Sequence, residues 1–455
     1  MTSVLLVYPF FIPKRDRSVF RFPPLGLSYI AASLHRAGHE VYLLDCTFLD
    51  KENALERAFA TRAEVVVIYC MVTMVEECVW FAEKLRPHCR LLVTGGPLPT
   101  CEPESFIDCF DLVVRGEGEQ TMLEALRAYE EGGDFSTIQG VVYRDRRQGA
   151  DPGEIIHTPL RPFIRNLEAL PFPRRDLFPN ESYIEYGRRK YGYSITTVMS
   201  TRGCPYECEF CSNVVFGGSY RERPAGNVVD EIEEALRWGY DRIAFADDVF
   251  TLNRRRVHAI CEEIERRGLQ FQWECLGRVD AIDYDLAVVM KAAGCAKIFF
   301  GIESGDDEML KLMNKQITVQ QAREAVEAAH RAGLSVGAFF ILCYPGDTDD
   351  TVLETLRFAN SLPLDYLGLS MPYPLPGTAL YERVGQSITR AWRQDESMLW
   401  SHVLIYSSEY SETKMWFAIL KGHSEFEIKR RLGKAAPFFL RLFQKPTDKV
   451  FRLLR

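Results

Sequence analysis

The chain lacks any run of the roughly 18 to 20 consecutive apolar residues that a membrane-spanning helix requires. It has no low-complexity tract either, and with 47% hydrophobic residues it has the composition of a folded globular protein. Its thirteen cysteines are scattered and do not form a disulfide framework. No secretory leader is legible: the run Val4 to Val7 is short, has no basic flank before it, and meets Pro9 at once. These absences lead us to expect a reducing, cytoplasmic setting. At 455 residues the chain is too long for one ordinary core, so two or three domains are expected.

Charge is unevenly spread. From Lys429 to Arg455 there are nine Lys or Arg against one acid, Asp448, so this tail carries +8 of a formal net −8 and the rest carries −16. An acidic body argues against general nucleic-acid binding. The tail interleaves aromatic and basic residues, as in Phe438 to Phe443. It reads either as an amphipathic segment in peripheral contact with anionic membrane lipid or as a basic helix docked on the acidic body.

The most informative segment is Thr201 to Cys211. Cys204, Cys208 and Cys211 form a Cys-x3-Cys-x2-Cys run on a tight loop after the apolar stretch Ile195 to Met199. Three thiolates on a [4Fe-4S] cluster leave one iron without a protein ligand, where the usual site has four cysteines. That iron can hold a small molecule and pass it an electron. A zinc knuckle is the alternative, but it would want a fourth ligand nearby. The next cysteine, Cys261, lies fifty residues on, in a predicted helix.

Residues 1–145 alternate apolar strands with amphipathic helices. Strands are predicted at 4–7, 41–44, 65–68, 91–93 and 112–114, with helices at 27–37, 54–60 and 75–85. Such alternation predicts an α/β, Rossmann-like, doubly wound parallel sheet. Ligands bind such sheets beyond the carboxyl ends of the strands. Residues 146–192, rich in Pro, Arg and Asp, read as a linker. From 193 to 384 six further strand–helix units predict a partial (β/α)6 barrel, whose site lies at the carboxyl ends of its strands. Residues 385–455 read as a small, mostly helical segment with the basic tail.

The cysteine spacing, with Phe210 beside the last cysteine, resembles the signature of the radical S-adenosylmethionine (SAM) superfamily. The resemblance runs from Ser194 to about Arg383 and recurs at successive strand ends: Ala246-Asp-Asp248, Gly301-Ile-Glu-Ser-Gly305, Tyr344-Pro-Gly-Asp-Thr348 and Pro374-Leu-Pro-Gly-Thr378. It implies that Cys204, Cys208 and Cys211 hold the cluster. It also implies that Phe210, Asp247, Asp248, Gly301, Glu303 and Gly305 contact SAM, whose cleavage gives a 5′-deoxyadenosyl radical.

Phe22 to Ala32, Thr94 to Pro97 and Asp111 to Thr121 resemble the cobalamin-binding domain that precedes the barrel in cobalamin-dependent radical SAM enzymes. Thr94, Gly95, Gly96, Gly116, Glu117 and Gly118 are the implied cobalamin contacts. The loop Tyr8 to Arg21 contains no His, so the Asp-x-His-x-x-Gly motif that ligates cobalt in many such domains is missing. His35 and His39 read as residues at the end of the first helix.

The resemblance implies a methyltransferase acting on an unactivated carbon or phosphorus centre through methylcobalamin. Alternatives are an oxidative cyclase, a ring-contraction or rearrangement enzyme, and, from another class, a cobalamin- or redox-sensing regulator. No second cysteine triplet appears for the auxiliary cluster of a methylthiolase. A small-molecule, lipid or pigment substrate and a flavodoxin or ferredoxin donor are expected. Cys275 and Cys343 at strand ends read as buried apolar residues or hydrogen donors, and Tyr344 and Tyr373 as pocket lining. No catalytic residue is assigned, and Met398 to Ser411 carries no readable motif.

Overall fold

The computed structural model describes residues 1–12, 21–145, 153–388 and 405–454. The chain divides into two compact units. The first holds residues 1–198, 213–223 and 230–242; the second holds 199–212, 224–229 and 243–455.

The first unit is built on strands β1 (Ser3–Tyr8), β2 (Glu40–Asp45), β3 (Val65–Tyr69), β4 (Leu91–Gly95), β5 (Leu112–Val114), β6 (Val141–Arg144) and β7 (Ile155–His157). Their order is β2-β1-β3-β4-β5-β6-β7. β1 to β5 run parallel, and Val65 to Ile68 and Leu91 to Thr94 are buried throughout, as strands covered on both faces must be. Helices α1 (Leu25–Arg36), α2 (Lys51–Thr61), α3 (Val75–Leu85), α4 (Pro97–Cys101) and α5 (Gly118–Glu130) make the crossovers. The strand order reverses at β1, between β2 and β3, which is where ligands of open α/β sheets gather.

Two features depart from the sequence expectation. β6 and β7 pair antiparallel and extend the sheet at one edge. The short connection between them is compatible with antiparallel return, whereas a parallel one would need a crossover of about a dozen residues or more. Proline and charge in 146–192 disguise an edge strand, β7, and a helix, α6 (Asn180–Tyr191), whose Tyr183 is buried.

The second sheet has six strands: β8 (Ile195–Val198), then, after the two-residue strands β9 (Thr201–Arg202) and β10 (Arg221–Glu222), β11 (Arg242–Phe245), β12 (Gln272–Gly277), β13 (Cys295–Glu303), β14 (Ser335–Ile341) and β15 (Tyr366–Ser370). The order is β15-β14-β13-β12-β11-β8, sequential as in a partial barrel. Helices α7 (Ala225–Arg237), α8 (Arg254–Arg266), α9 (Tyr284–Ala292), α10 (Asp307–Leu312), α11 (Val319–Arg331), α12 (Asp349–Ser361) and α13 (Ala379–Val384) follow the strands. Side chains start several of them. Thr318 and Gln321 close a capping box on α11, and the Thr348 hydroxyl accepts from the Thr351 amide on α12. Two long helices, Glu412–Leu432 and Ala436–Leu453, end the chain. Residues 389–404, which include the start of the unreadable Met398 to Ser411 segment, lie outside the described residues.

Candidate functional site

Cys204, Cys208 and Cys211 follow β9 on one loop. Cys204 and Cys208 are half-buried and Cys211 reaches the surface. The loop is held from several sides. The Glu209 amide donates to Met313 O (3.0 Å), and Glu209 O accepts from the Leu380 amide (2.8 Å). The Glu209 carboxylate accepts from Tyr344 Oη (2.8 Å) and pairs with Arg383 Nε at 3.0 Å. Asn314 Nδ2 donates to Glu207 O (2.6 Å), and Phe210 meets the Tyr344 ring edge-to-face at 6.4 Å. A loop tied this often keeps its shape before any ligand arrives.

Charge around the thiols is mixed. Burial raises the Cys204 thiol, Asp248 and Cys208 add to the rise, and Arg278 opposes it. Cys211 is pushed up to about 12, first by the protein packed around it and then by Cys208, with Lys315 pulling the other way. Among the described residues no three His, Cys, Asp or Glu side chains converge as a single metal ion would require. A [4Fe-4S] cluster is larger than a single ion and would be held by thiols spaced along the loop. Three thiols on a pinned loop, with two cations acting on them, fit that group.

The structure sorts the expected SAM contacts. Asp247 is buried and committed: it accepts from the amides of Ser200 (2.6 Å) and Thr201 (3.0 Å), from the Ser200 hydroxyl, and from Arg256 Nη2 (3.2 Å). Its carboxylate anchors the chain entering the cysteine loop. Its neighbour Asp248 is exposed, accepts from the Gly203 amide, and acts electrostatically on Cys204 and Cys211.

Glu303 ends β13 in the left-handed region, at φ 75°, which is costly for a residue with a side chain. Its Oε1 accepts from the buried Lys315 Nζ at 3.1 Å. A Cβ on Gly301 would stand 2.5 Å from that oxygen, so the bare glycine leaves room for the pair. Gly305 is closely packed: a Cβ there would meet Thr355 Cα on α12 at 2.8 Å. Lys315 was not singled out in the sequence. It sits in a turn between two left-handed residues, Asn314 (φ 51°) and Gln316 (φ 56°), and its ammonium lies 5.7 Å from the Phe210 ring centre. A basic residue in a turn carries no signal by itself. Arg256, Glu209, Arg383 and Arg278 escaped too, because single charged residues in helices and loops carry no signal until folding brings them together.

In the first unit the two glycine turns are neighbours, because Gly95 and Val114 are register partners on β4 and β5. Gly96 has φ 119°, and a Cβ there would stand 2.5 Å from Cys70 O. Thr100 Oγ1 accepts from the Gly116 amide (3.0 Å) and ties one turn to the other. Two of the expected contacts, Thr94 and Glu117, have protein partners for their side chains. The buried Thr94 hydroxyl donates to Ile68 O (2.9 Å), and the Glu117 carboxylate is taken by Arg221 Nη1 (2.8 Å) and the Ile164 amide (2.7 Å). What remains is backbone: Gly118 opens α5, whose first amides have no intrahelical acceptor. Two adjoining glycine turns at a helix start fit the phosphate-bearing tail of a corrinoid. His35 is exposed in the last turn of α1.

Comparison with known proteins finds two family models along the chain. The family model for the Radical SAM superfamily matches residues 198–359, and that for the B12 binding domain matches residues 15–126. An uncharacterized methyltransferase of Pyrococcus horikoshii, PH0819, is 32% identical over 441 residues, covering 90% of this chain and 92% of that protein. An anaerobic magnesium-protoporphyrin IX monomethyl ester cyclase of Rubrivivax gelatinosus is 26% identical over 401 residues, 85% of this chain and 70% of the relative. Among solved structures, the radical S-adenosylmethionine methyltransferase TsrM from Kitasatospora setae, with cobalamin and a [4Fe-4S] cluster bound, superposes with a TM-score of 0.70 at 21% identity. The match covers 85% of this chain and 75% of TsrM.

Proposed function

The chain belongs to the cobalamin-dependent radical SAM enzymes, and from that premise we propose that it transfers a methyl group from SAM, by way of cobalamin, to an unactivated carbon or phosphorus centre of a small molecule. The observation that carries the reading is the likeness to a methyltransferase over nine-tenths of both chains, in a chain where the B12 binding match precedes the radical SAM match. The cofactors of this family are a [4Fe-4S] cluster, SAM and cobalamin. When bound, they supply an electron, a 5′-deoxyadenosyl radical that removes a hydrogen atom, and a methyl group.

The residues of the chain have separate tasks. Cys204, Cys208 and Cys211 hold the cluster as thiolates, and Glu209 with Tyr344 and Arg383 fixes their loop. Asp248 offers a carboxylate to an amino group. Lys315 offers an ammonium to a carboxylate, and Glu303 turns that ammonium toward the cysteine loop while its other oxygen suits ribose hydroxyls. Asp247 and Arg256 keep the entering chain in place. The turns at Gly95 to Pro97 and Gly116 to Gly118 hold the corrinoid through backbone groups. A one-electron donor such as flavodoxin or ferredoxin completes the system.

One observation favours a second reading, oxidative cyclisation without methyl transfer: a relative of comparable span is a cyclase. Products separate the two. Methyl transfer releases S-adenosylhomocysteine in addition to 5′-deoxyadenosine, and cyclisation releases 5′-deoxyadenosine alone.

A further inference from the structure

The helix Ala436–Leu453 is seated on the second unit by one face only. Ala436 and Phe451 are buried. Asp448 on that side pairs with Lys421 (2.9 Å) and Arg357 (2.8 Å), and Arg452 pairs with Asp350. The opposite face is not short of apolar groups. Phe438 is 65% exposed, Leu442 60% and Leu453 71%, and Phe439 and Val450 are exposed beside them. At 3.6 residues per turn these five side chains fall within an arc of about 120°. Arg441 and Lys445 line one border of that arc, Lys449 falls just inside it, and the three make no ion pair among the described residues.

From this face we infer a docking surface for an anionic lipid bilayer, with the helix lying in the plane of the headgroups. An exposed apolar stripe of this kind marks an interaction site rather than an unfinished core, since the helix already has a packed side. Cations along its border select a negatively charged surface, and the combination of aromatic and leucine side chains with lysine and arginine is that of an interfacial helix. The same cations count against a second copy of the chain as occupant, because self-pairing would bring like charges into one interface. No helix among the described residues is long and apolar enough to cross a membrane, so the contact is peripheral. The inference stands apart from the methyl-transfer reading.

The test is flotation of the full chain with vesicles of phosphatidylcholine alone and of phosphatidylcholine with a quarter phosphatidylglycerol. Binding to the anionic vesicles only, weakening as sodium chloride is raised from low to high concentration, is the expected result. Lys445→Gln with Lys449→Gln should weaken it about 25-fold, near fivefold for each charge. Phe438→Ser with Leu442→Ser should abolish it while leaving the melting temperature unchanged, as these side chains touch solvent. The salt dependence of the unmodified protein serves even if a variant fails to fold. Absence of binding, or equal binding to both vesicles at all salt concentrations, overturns the inference. So does a concentration-dependent dimer that Phe438→Ser with Leu442→Ser dissolves, which would assign the face to a second copy.

Discussion

Replacing Glu209 by Gln keeps the shape of the side chain and removes its charge, at the residue that ties the cysteine loop to three other segments. The loss can be worked from its contacts. The Arg383 pair is partly exposed on the arginine side, with Arg383 33% and Glu209 14% accessible, so it is worth under about 1 kcal/mol. The bond from the buried Tyr344 hydroxyl to a charged acceptor is worth about 1.5 to 3 kcal/mol, of which the amide retains part. A total of about 1 to 2 kcal/mol is expected, seen as a melting temperature lower by a few degrees. The local effect should be larger than the global one. Anaerobic reconstitution with iron and sulfide should load Glu209→Gln to a smaller fraction of the roughly four irons per chain. The electron paramagnetic resonance spectrum of its reduced cluster should broaden as the cysteines sample more than one geometry. Tyr344→Phe should act similarly, and the double variant should fall short of the sum, because both changes break one network. If both variants lower the melting temperature but load iron and give spectra like the parent, Glu209 stabilises the fold without shaping the loop.

Two more outcomes follow from groups at the end of β14. The Asp347 carboxyl is pushed up to about 6 from 3.8, chiefly by burial, with Thr351 and the Tyr344 amide opposing. The folded protein therefore holds this proton more tightly than the unfolded chain. The resulting stability, about 3 kcal/mol, is complete below pH 4 and is lost as pH rises through about 6. Melting curves of the parent and Asp347→Asn should diverge across that window and run parallel above it; parallel curves throughout would refute the assignment. Cys343 is buried at φ 60°, a backbone conformation that suits glycine. Cys343→Ala keeps the strain and loses the sulfur's packing, so it should cost about 1 kcal/mol, whereas Cys343→Gly relieves the strain and should be closer to neutral in a denaturant melt. A Gly variant less stable than the Ala variant would show that the left-handed backbone is not strained.

Most strands and helices of both units were legible because their signals are local and repeated. Val65 to Ile68 and Leu91 to Val93 are continuous apolar runs, and Val319 to Arg331 is an amphipathic helix with its own capping box. The edge strand β7 was hidden because its three residues alternate with no buried face, and α6 because Arg188, Arg189 and Lys190 give it the composition of a surface segment. The cysteine loop was legible from spacing alone. Its support was not, since Glu209, Arg383, Asn314 and Lys315 meet only after folding brings distant turns together. Sequence also could not show that Asp247 and Asp248 differ in surroundings: the first is buried against Ser200, Thr201 and Arg256, and the second is exposed. The glycines at 301 and 305 divide in the same way, one leaving room for the Glu303–Lys315 pair and the other for α12.

The most direct test of the central claim is product analysis on the anaerobically reconstituted chain. The protein is loaded with iron, sulfide and cobalamin, given SAM and a low-potential reductant, and assayed for 5′-deoxyadenosine and S-adenosylhomocysteine by mass spectrometry, with Cys208→Ala as control. Both products, the second only when cobalamin is present and neither from Cys208→Ala, are the predicted result. Cleavage that yields 5′-deoxyadenosine alone, with cobalamin bound, would contradict methyl transfer.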